Sequence, residues 1–288
     1  MIPNSFDYVA AKSLDEALSL LGKHKEDARL LAGGHSLIPA MKLRLAQPQI
    51  LIDISRIKDL SYIRQEGNGI RIGAMTTHYL IESSDLLRRV CPLLTETATH
   101  LGDVQVRNKG TIGGSLAHAD PAADWPAAVI ALDAEIVAAG PKGDRTIKAD
   151  KFFTALFTTA LEAGEILREV RFNAPTGRVG QCYKKFRHPA SGFAVVGVAV
   201  SLSLDGSGKC QSAGVGITGA SPKAYRAGAV ENALKGATLD DKTLSAAAAH
   251  ATDGVDANSD LFASGEYRRH LAEVYTRRAL EMAVSRAK

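Results

Sequence analysis

The chain has 288 residues, 45% hydrophobic and 23% charged, with a formal net charge of +4. That is ordinary globular composition, and the length suggests about two domains. No apolar run reaches the ~18 residues of a membrane span, no basic-then-apolar leader opens the chain, and scattered positive charge with 6% aromatics gives no nucleic-acid stripe.

Ser13-Leu-Asp-Glu16 reads as a capping box, in which Ser13 takes an amide three residues on and Glu16 reaches back. Leu14, Ala17, Leu18 and Leu21 then share one helical face. Arg29–Ala32 reads as a short buried strand, ended by Gly33-Gly34-His35-Ser36. Leu37, Met41 and Leu45 follow at helical spacing, with Pro39 in the first turn, where a missing amide costs little. Ile50–Ile54 and Ile70–Ala74 read as strands, with turn residues at Gly67-Asn68-Gly69.

Residues 78–101 are rich in helix formers, with a break at Cys91-Pro92. Residues 110–124, GTIGGSLAHADPAAD, read as an irregular corner. A helix is expected over Trp125–Ala134 and strands over Glu135–Ala139 and Glu165–Phe172. Asn173-Ala-Pro-Thr-Gly177 is the best domain boundary, which divides the chain into 1–176 and 177–288. Tyr183–His188, YKKFRH, is the densest basic cluster and reads as a charged turn on a solvated face. Phe193–Leu204 and Lys209–Thr218 form a hairpin around Asp205-Gly-Ser-Gly208. Helices are expected near 222–235, 240–251 and 266–287. This order fits α+β units better than a regular βαβ alternation.

Cys91, Cys182 and Cys210 are dispersed, so the chain carries no clustered thiolates for an iron–sulfur centre or structural zinc. Each reads as a small buried hydrophobe, in keeping with a reducing, cytoplasmic setting.

The two Gly-Gly segments are the informative feature. Glycine admits φ > 0 and lets a ligand approach the main chain. Consecutive free amides cradle phosphate, and Ser36, Thr111 and Ser115 add hydroxyls. One Gly-Gly alone reads most simply as a tight turn. Two, each beside small hydroxyl residues, leave two readings open: a pair of tight turns, or a diphosphate held by two separated backbone corners. Neither has GxGxxG or P-loop spacing. Asp124 reads first as the N-cap of the helix that follows, a role compatible with binding a polar ligand. His35 and Ser36 are sequence neighbours and make no nucleophile–base pair, and His118 is isolated. No GxSxG or HExxH occurs, so if the chain takes part in chemistry a cofactor should supply it.

Ala32-Gly-Gly-His-Ser36 followed by Leu-Ile-Pro-Ala-Met-Lys, and Thr111-Ile-Gly-Gly-Ser115 followed by the Asp120–Asp124 run, resemble the FAD-binding medium subunit of the molybdenum hydroxylases. That family includes the carbon monoxide dehydrogenase medium subunit and the flavin domain of xanthine dehydrogenase. The resemblance implies an α+β, two-part FAD-binding domain of the vanillyl-alcohol-oxidase (PCMH) type, then a smaller α+β domain. It implies an electron-transfer role beside a molybdenum-cofactor large subunit and a small subunit with two 2Fe–2S clusters, as a dimer of heterotrimers. The acceptor stays open among quinone, NAD and oxygen, as does the substrate of the complex.

The resemblance places FAD against Ala32, Gly33, Gly34, His35 and Ser36, flanked by Leu31, Leu37 and Ile38. The second contact segment is Thr111, Ile112, Gly113, Gly114 and Ser115. Asp124 matches an acidic residue near the flavin's polar edge, and Leu101, Leu161 and Lys184 match further contacts. Phe193 stands where the carbon monoxide enzyme has a tyrosine stacked on the isoalloxazine; the ring is kept and the hydroxyl lost. Ser115 stands where many relatives have Asn. Two rival readings are an assembly subunit that has lost its flavin and a stand-alone flavin reductase or oxidase.

Overall fold

The computed structural model describes residues 1–287. Strands β1 (Asp7–Ala10), β2 (Ala28–Leu31) and β3 (Ile50–Asp53) form a parallel sheet in the order β1-β3-β2. Its partner helix, Leu14–His24, is capped by Ser13 Oγ, which accepts from Glu16 N at 3.1 Å. Glu16 reaches one residue past the expected amide, to Lys12 N at 2.7 Å. The helix lays Ala17, Leu14, Leu18 and Leu21 on a small core with Ile50, Ile52 and Met75.

A second sheet is antiparallel. It joins β4 (Ile63–Glu66), β5 (Gly69–Gly73), β6 (Glu135–Gly140) and β7 (Gly143–Lys148) around β10 (Ile166–Asn173), in the order β4-β5-β10-β6-β7. The short pair β8 (Phe153–Ala155) and β9 (Thr158–Thr159) lies apart. The central β10 aligns Val170 with Ile72 on one side and Ile136 on the other, which buries all three. Residues 78–101 form three short helices, His78–Glu82, Asp85–Val90 and Pro92–Thr99. Ser84 caps the second, and Pro92 opens the third at a position that tolerates its missing N–H.

The third sheet runs β11-β12-β13-β14, from β11 (Arg178–Arg187), β12 (Ala194–Leu204) and β13 (Cys210–Thr218) to β14 (Tyr225–Arg226). YKKFRH is therefore not a charged turn, since Tyr183–Arg187 complete a ten-residue strand. Alternation puts Gln181, Tyr183 and Lys185 on one face and Cys182 on the other. Cys182 joins Val198, Val200, Val215 and Ile217 in a core covered by helices Gly228–Leu234, Asp241–Ala248 and Gly265–Arg286. The opposite face receives helix Trp125–Ala131. Gly214 and Gly216 permit this, because a Cβ at either would sit 2.1 Å from the carbonyl oxygen of Ala131 or Ala127. The third sheet thus packs directly on the first half of the chain.

Helix Leu37–Lys42 ends before Leu45, which lies beyond it and is exposed. All three cysteines are free and buried. Among the described residues no helix is long and apolar enough to cross a membrane.

Candidate functional site: two glycine segments and a buried ion pair

The first glycine segment leaves β2 and turns into helix Leu37–Lys42. Gly34 has φ +75°, the left-handed region that glycine enters freely. Leu31 Cδ1 and Ile38 Cδ1 flank it, 3.4 and 2.6 Å from where a Cβ would lie. The amides of Gly33, Gly34, His35 and Ser36 find no acceptor among the described residues. Ser36 makes no side-chain cap, so its hydroxyl is also free. A run of consecutive unpaired amides suits an anion with several oxygens. Leu37 is half-buried, and His35 and Ile38 are exposed at the rim.

The second glycine segment differs from the expected corner. Ile112–His118 is a helix with Thr111 as its N-cap. Its amides are consumed inside the protein: Ile112 N donates to Thr76 O, Gly113 N to Ala74 O at 2.9 Å, and Gly114 N to Thr111 Oγ1 at 3.1 Å. Here glycine serves close packing. A Cβ on Gly113 would meet Ala74 at 2.5 Å, and one on Gly114 would meet Thr111 Oγ1 at 2.8 Å and Ala32 Cβ at 3.5 Å. A Cβ on Gly33 would lie 2.0 Å from Lys109 O and 2.8 Å from the Gly110 Cα. The two segments, eighty residues apart, therefore abut along a seam of Ala32, Gly33, Gly110 and Gly114. Among the described residues the Ser115 hydroxyl has no partner.

Asp124 takes another role than the expected cap. It makes no side-chain bond to the helix it precedes. Its carboxylate, 4% exposed, accepts from the Tyr183 hydroxyl and from Lys185 Nζ at 2.9 Å. Lys185 Nζ also donates to His100 O at 3.1 Å. Burial pushes the Asp124 carboxyl up from its usual range, while Lys185 and Tyr183 pull it back. Burial lowers Lys185, and Asp124 opposes that. Burial and the adjacent Asp124 carboxylate raise Tyr183 well above 10, so it stays a donor. Lys185, not Lys184, reaches the acid, because Lys184 lies on the other face of β11. Leu101 is buried, with its carbonyl bonded by Arg107 at 3.1 Å, and Leu161 packs against the first core.

The loop before Asp124 is stitched to the third sheet. Ala194 N donates to Ala122 O, Gly219 N to Pro121 O, and Thr218 Oγ1 to Ala123 O. A cleft of about 270 Å³ opens at this junction, walled by Asp120, Ala122, His188, Phe193 and Arg268. Phe193 is 46% exposed on its lip.

Residues 4–175 match the model of the FAD binding domain in molybdopterin dehydrogenase, and residues 181–283 match the CO dehydrogenase flavoprotein C-terminal domain. The chain is 42% identical to the carbon monoxide dehydrogenase medium chain of Afipia carboxidovorans, over 100% of both chains. This chain belongs to the FAD-binding medium subunits of the molybdenum hydroxylases. It is 36% identical to the 6-hydroxypseudooxynicotine dehydrogenase complex subunit alpha of Paenarthrobacter nicotinovorans, over 100% of this chain and 97% of that one. Its structure is similar to that in carbon monoxide dehydrogenase from Hydrogenophaga pseudoflava, with TM-score 0.97, 43% identity and full coverage of both chains. As a medium subunit it is an oxidoreductase component with FAD as cofactor and electron transfer as its role.

Sequence reasoning missed Tyr183, Lys185, His78 and Trp125. The alternation of Gln181, Tyr183 and Lys185 carried a signal for the first two. Nothing local marked His78 as a partner of Trp125.

Proposed function

We propose that the FAD diphosphate rests on the amides of Gly33, Gly34, His35 and Ser36, with the Ser36 and Ser115 hydroxyls beside it. The observation that carries this reading is the run of four amides with no acceptor among the described residues, set against the Gly110–Thr111 seam. Phe193 offers its ring to the isoalloxazine at the cleft between the two halves, which divide near residue 176. Leu31, Leu37, Ile38, Leu101 and Leu161 supply apolar walls that limit water, and Lys184 lies at the margin. Asp124 works indirectly, as the carboxylate that ties the third sheet to the cleft.

Bound FAD supplies one- and two-electron chemistry, which links single-electron donors to a two-electron acceptor. The protein's part is to hold the cofactor, exclude solvent and present one edge to partners. Those partners are a molybdenum-cofactor large subunit and a 2Fe–2S small subunit, arranged as a dimer of heterotrimers. Among the described residues no group of three or more His, Cys, Asp or Glu is placed to hold a metal. The complex is cytoplasmic, with quinone or NAD as acceptor. Carbon monoxide is one candidate substrate, because the relatives span that gas and an N-heterocyclic compound at similar identity.

The test is purification from the native host, followed by assay of the complex against carbon monoxide and N-heterocycles. The expected preparation is yellow, with one FAD per medium chain and two further chain types. A colourless chain that also fails to take up FAD on titration would overturn the reading. Rapid anaerobic bleaching of the isolated chain by NADH would favour a stand-alone reductase instead.

A further inference from the structure

His78 opens helix His78–Glu82 immediately after its cap, Thr77. Its amide donates to Gly110 O at 3.0 Å, and Thr77 bridges to Thr111. The ring therefore sits behind the seam where the two glycine segments meet. It is 4% exposed. Trp125 Nε1 lies 3.0 Å from His78 Nδ1. An indole N–H only donates, so Nδ1 must accept, and the single proton of a neutral imidazole must reside on Nε2. Burial holds the ring neutral by lowering its pKa to about 3, and His35 and Arg107 act in the same direction.

The Nε2 edge faces Gly110, where a Cβ would lie 2.6 Å from Nε2. Gly33 covers the other side of the same Gly110. No acceptor for Nε2–H exists among the described residues. Nε2 is also not sealed in. Among the described residues, the side-chain nitrogens and oxygens both shut from solvent and unpaired are Arg268 Nε and Thr276 Oγ1. A buried ring with one nitrogen satisfied and the other holding an unspent proton at an opening is an arrangement that awaits an acceptor.

We propose that His78 is a further FAD-binding residue, whose Nε2–H, set by Trp125, donates to an oxygen of the diphosphate at the Gly33–Gly110 seam. This rests on the reading that the diphosphate lies against Gly33–Ser36. The arrangement supplies a donor without a titrating charge, and without the large desolvation cost of a buried cation.

Two variants separate the nitrogens. In His78→Asn the amide oxygen stands near Nδ1 and still accepts from Trp125, while the Nε2 donor is gone. In His78→Gln the amide nitrogen reaches toward the Nε2 position. Flavin-free full-length chain is titrated with FAD and followed by flavin fluorescence. His78→Asn is expected to raise the Kd about tenfold or more, the usual range for a hydrogen bond to a charged group. His78→Gln is expected to keep most of the affinity. Long-range ¹H–¹⁵N spectra of the wild-type histidines provide a measurement that needs no variant. His78 should show the Nε2–H tautomer, with a resonance that shifts when FAD is added. Unchanged affinity in a folded His78→Asn, or an Nε2–H signal indifferent to FAD, overturns the role of His78 and leaves the flavin site standing. Failure of the wild-type chain to bind FAD overturns both.

Discussion

Lys185 Nζ lies 2.9 Å from the Asp124 carboxylate in a site where both side chains are almost wholly removed from solvent. The contact joins a loop of the first half of the chain to the first strand of the third sheet. A buried pair adds little net stability over an apolar replacement, but loss of one partner strands the other.

Asp124→Leu and Lys185→Met should each lower unfolding free energy by about 3–5 kcal/mol. The double variant Asp124→Leu/Lys185→Met should recover most of that loss. Urea unfolding of the four proteins closes the cycle. Additive losses in the double variant would show that the two groups do not act as a pair.

The glycine segments should separate folding from binding. Gly33→Ala places a Cβ 2.0 Å from the Lys109 carbonyl oxygen, against backbone that cannot yield. The flavin-free chain should lose about 1–3 kcal/mol or more, typical of overpacking. Gly34→Ala meets only the tip of Ile38, and costs about 1–2 kcal/mol for a left-handed φ. Its larger effect should fall on FAD affinity, because the amides on either side turn. Unfolding of the flavin-free proteins, set beside FAD titrations, tests the contrast.

His78 should make the fold acid-sensitive above the carboxylate range. Its folded pKa, about 3, lies below the usual histidine value near 6.5. A lowered pKa means that the unfolded chain takes up the proton first. The associated stability is full above about pH 6.5 and is lost as pH falls toward 3. Flavin-free wild type should therefore lose stability between about pH 6.5 and 5, before most carboxylates titrate, and His78→Asn should be flatter there. Parallel slopes for the two proteins would show that His78 is not the group responsible.

Phe193 is half-exposed on the cleft, so its side chain holds little of the fold together. Phe193→Ala should change the stability of the flavin-free chain by no more than about 0.5 kcal/mol. It should nevertheless weaken FAD binding measurably, and Phe193→Tyr should not. A variant with wild-type FAD affinity would remove Phe193 from the flavin contacts.

Features carried by a few adjacent residues were legible in the sequence. Ser13 caps its helix, Asp205–Gly208 turns the hairpin, and Gly33-Gly34 ends β2, because capping and φ preference are settled within one turn of chain. The longer motifs around the two glycine pairs resemble those of the family, and that resemblance implied the cofactor. What the sequence could not decide was where an amide or a charge finds its partner. The Gly113 amide is spent on Ala74 while those of Gly33–Ser36 stay free, and no local pattern distinguishes the two. Asp124 sits where a cap belongs, yet its partners are on β11, sixty residues away. The basic run Tyr183–His188 looked solvated until the sheet register turned Lys185 inward. His78 and Trp125 meet only after helices from distant parts of the chain have packed. Local geometry is encoded locally. The burial and pairing of polar groups belong to the tertiary structure, because both depend on which surfaces come together and lose water.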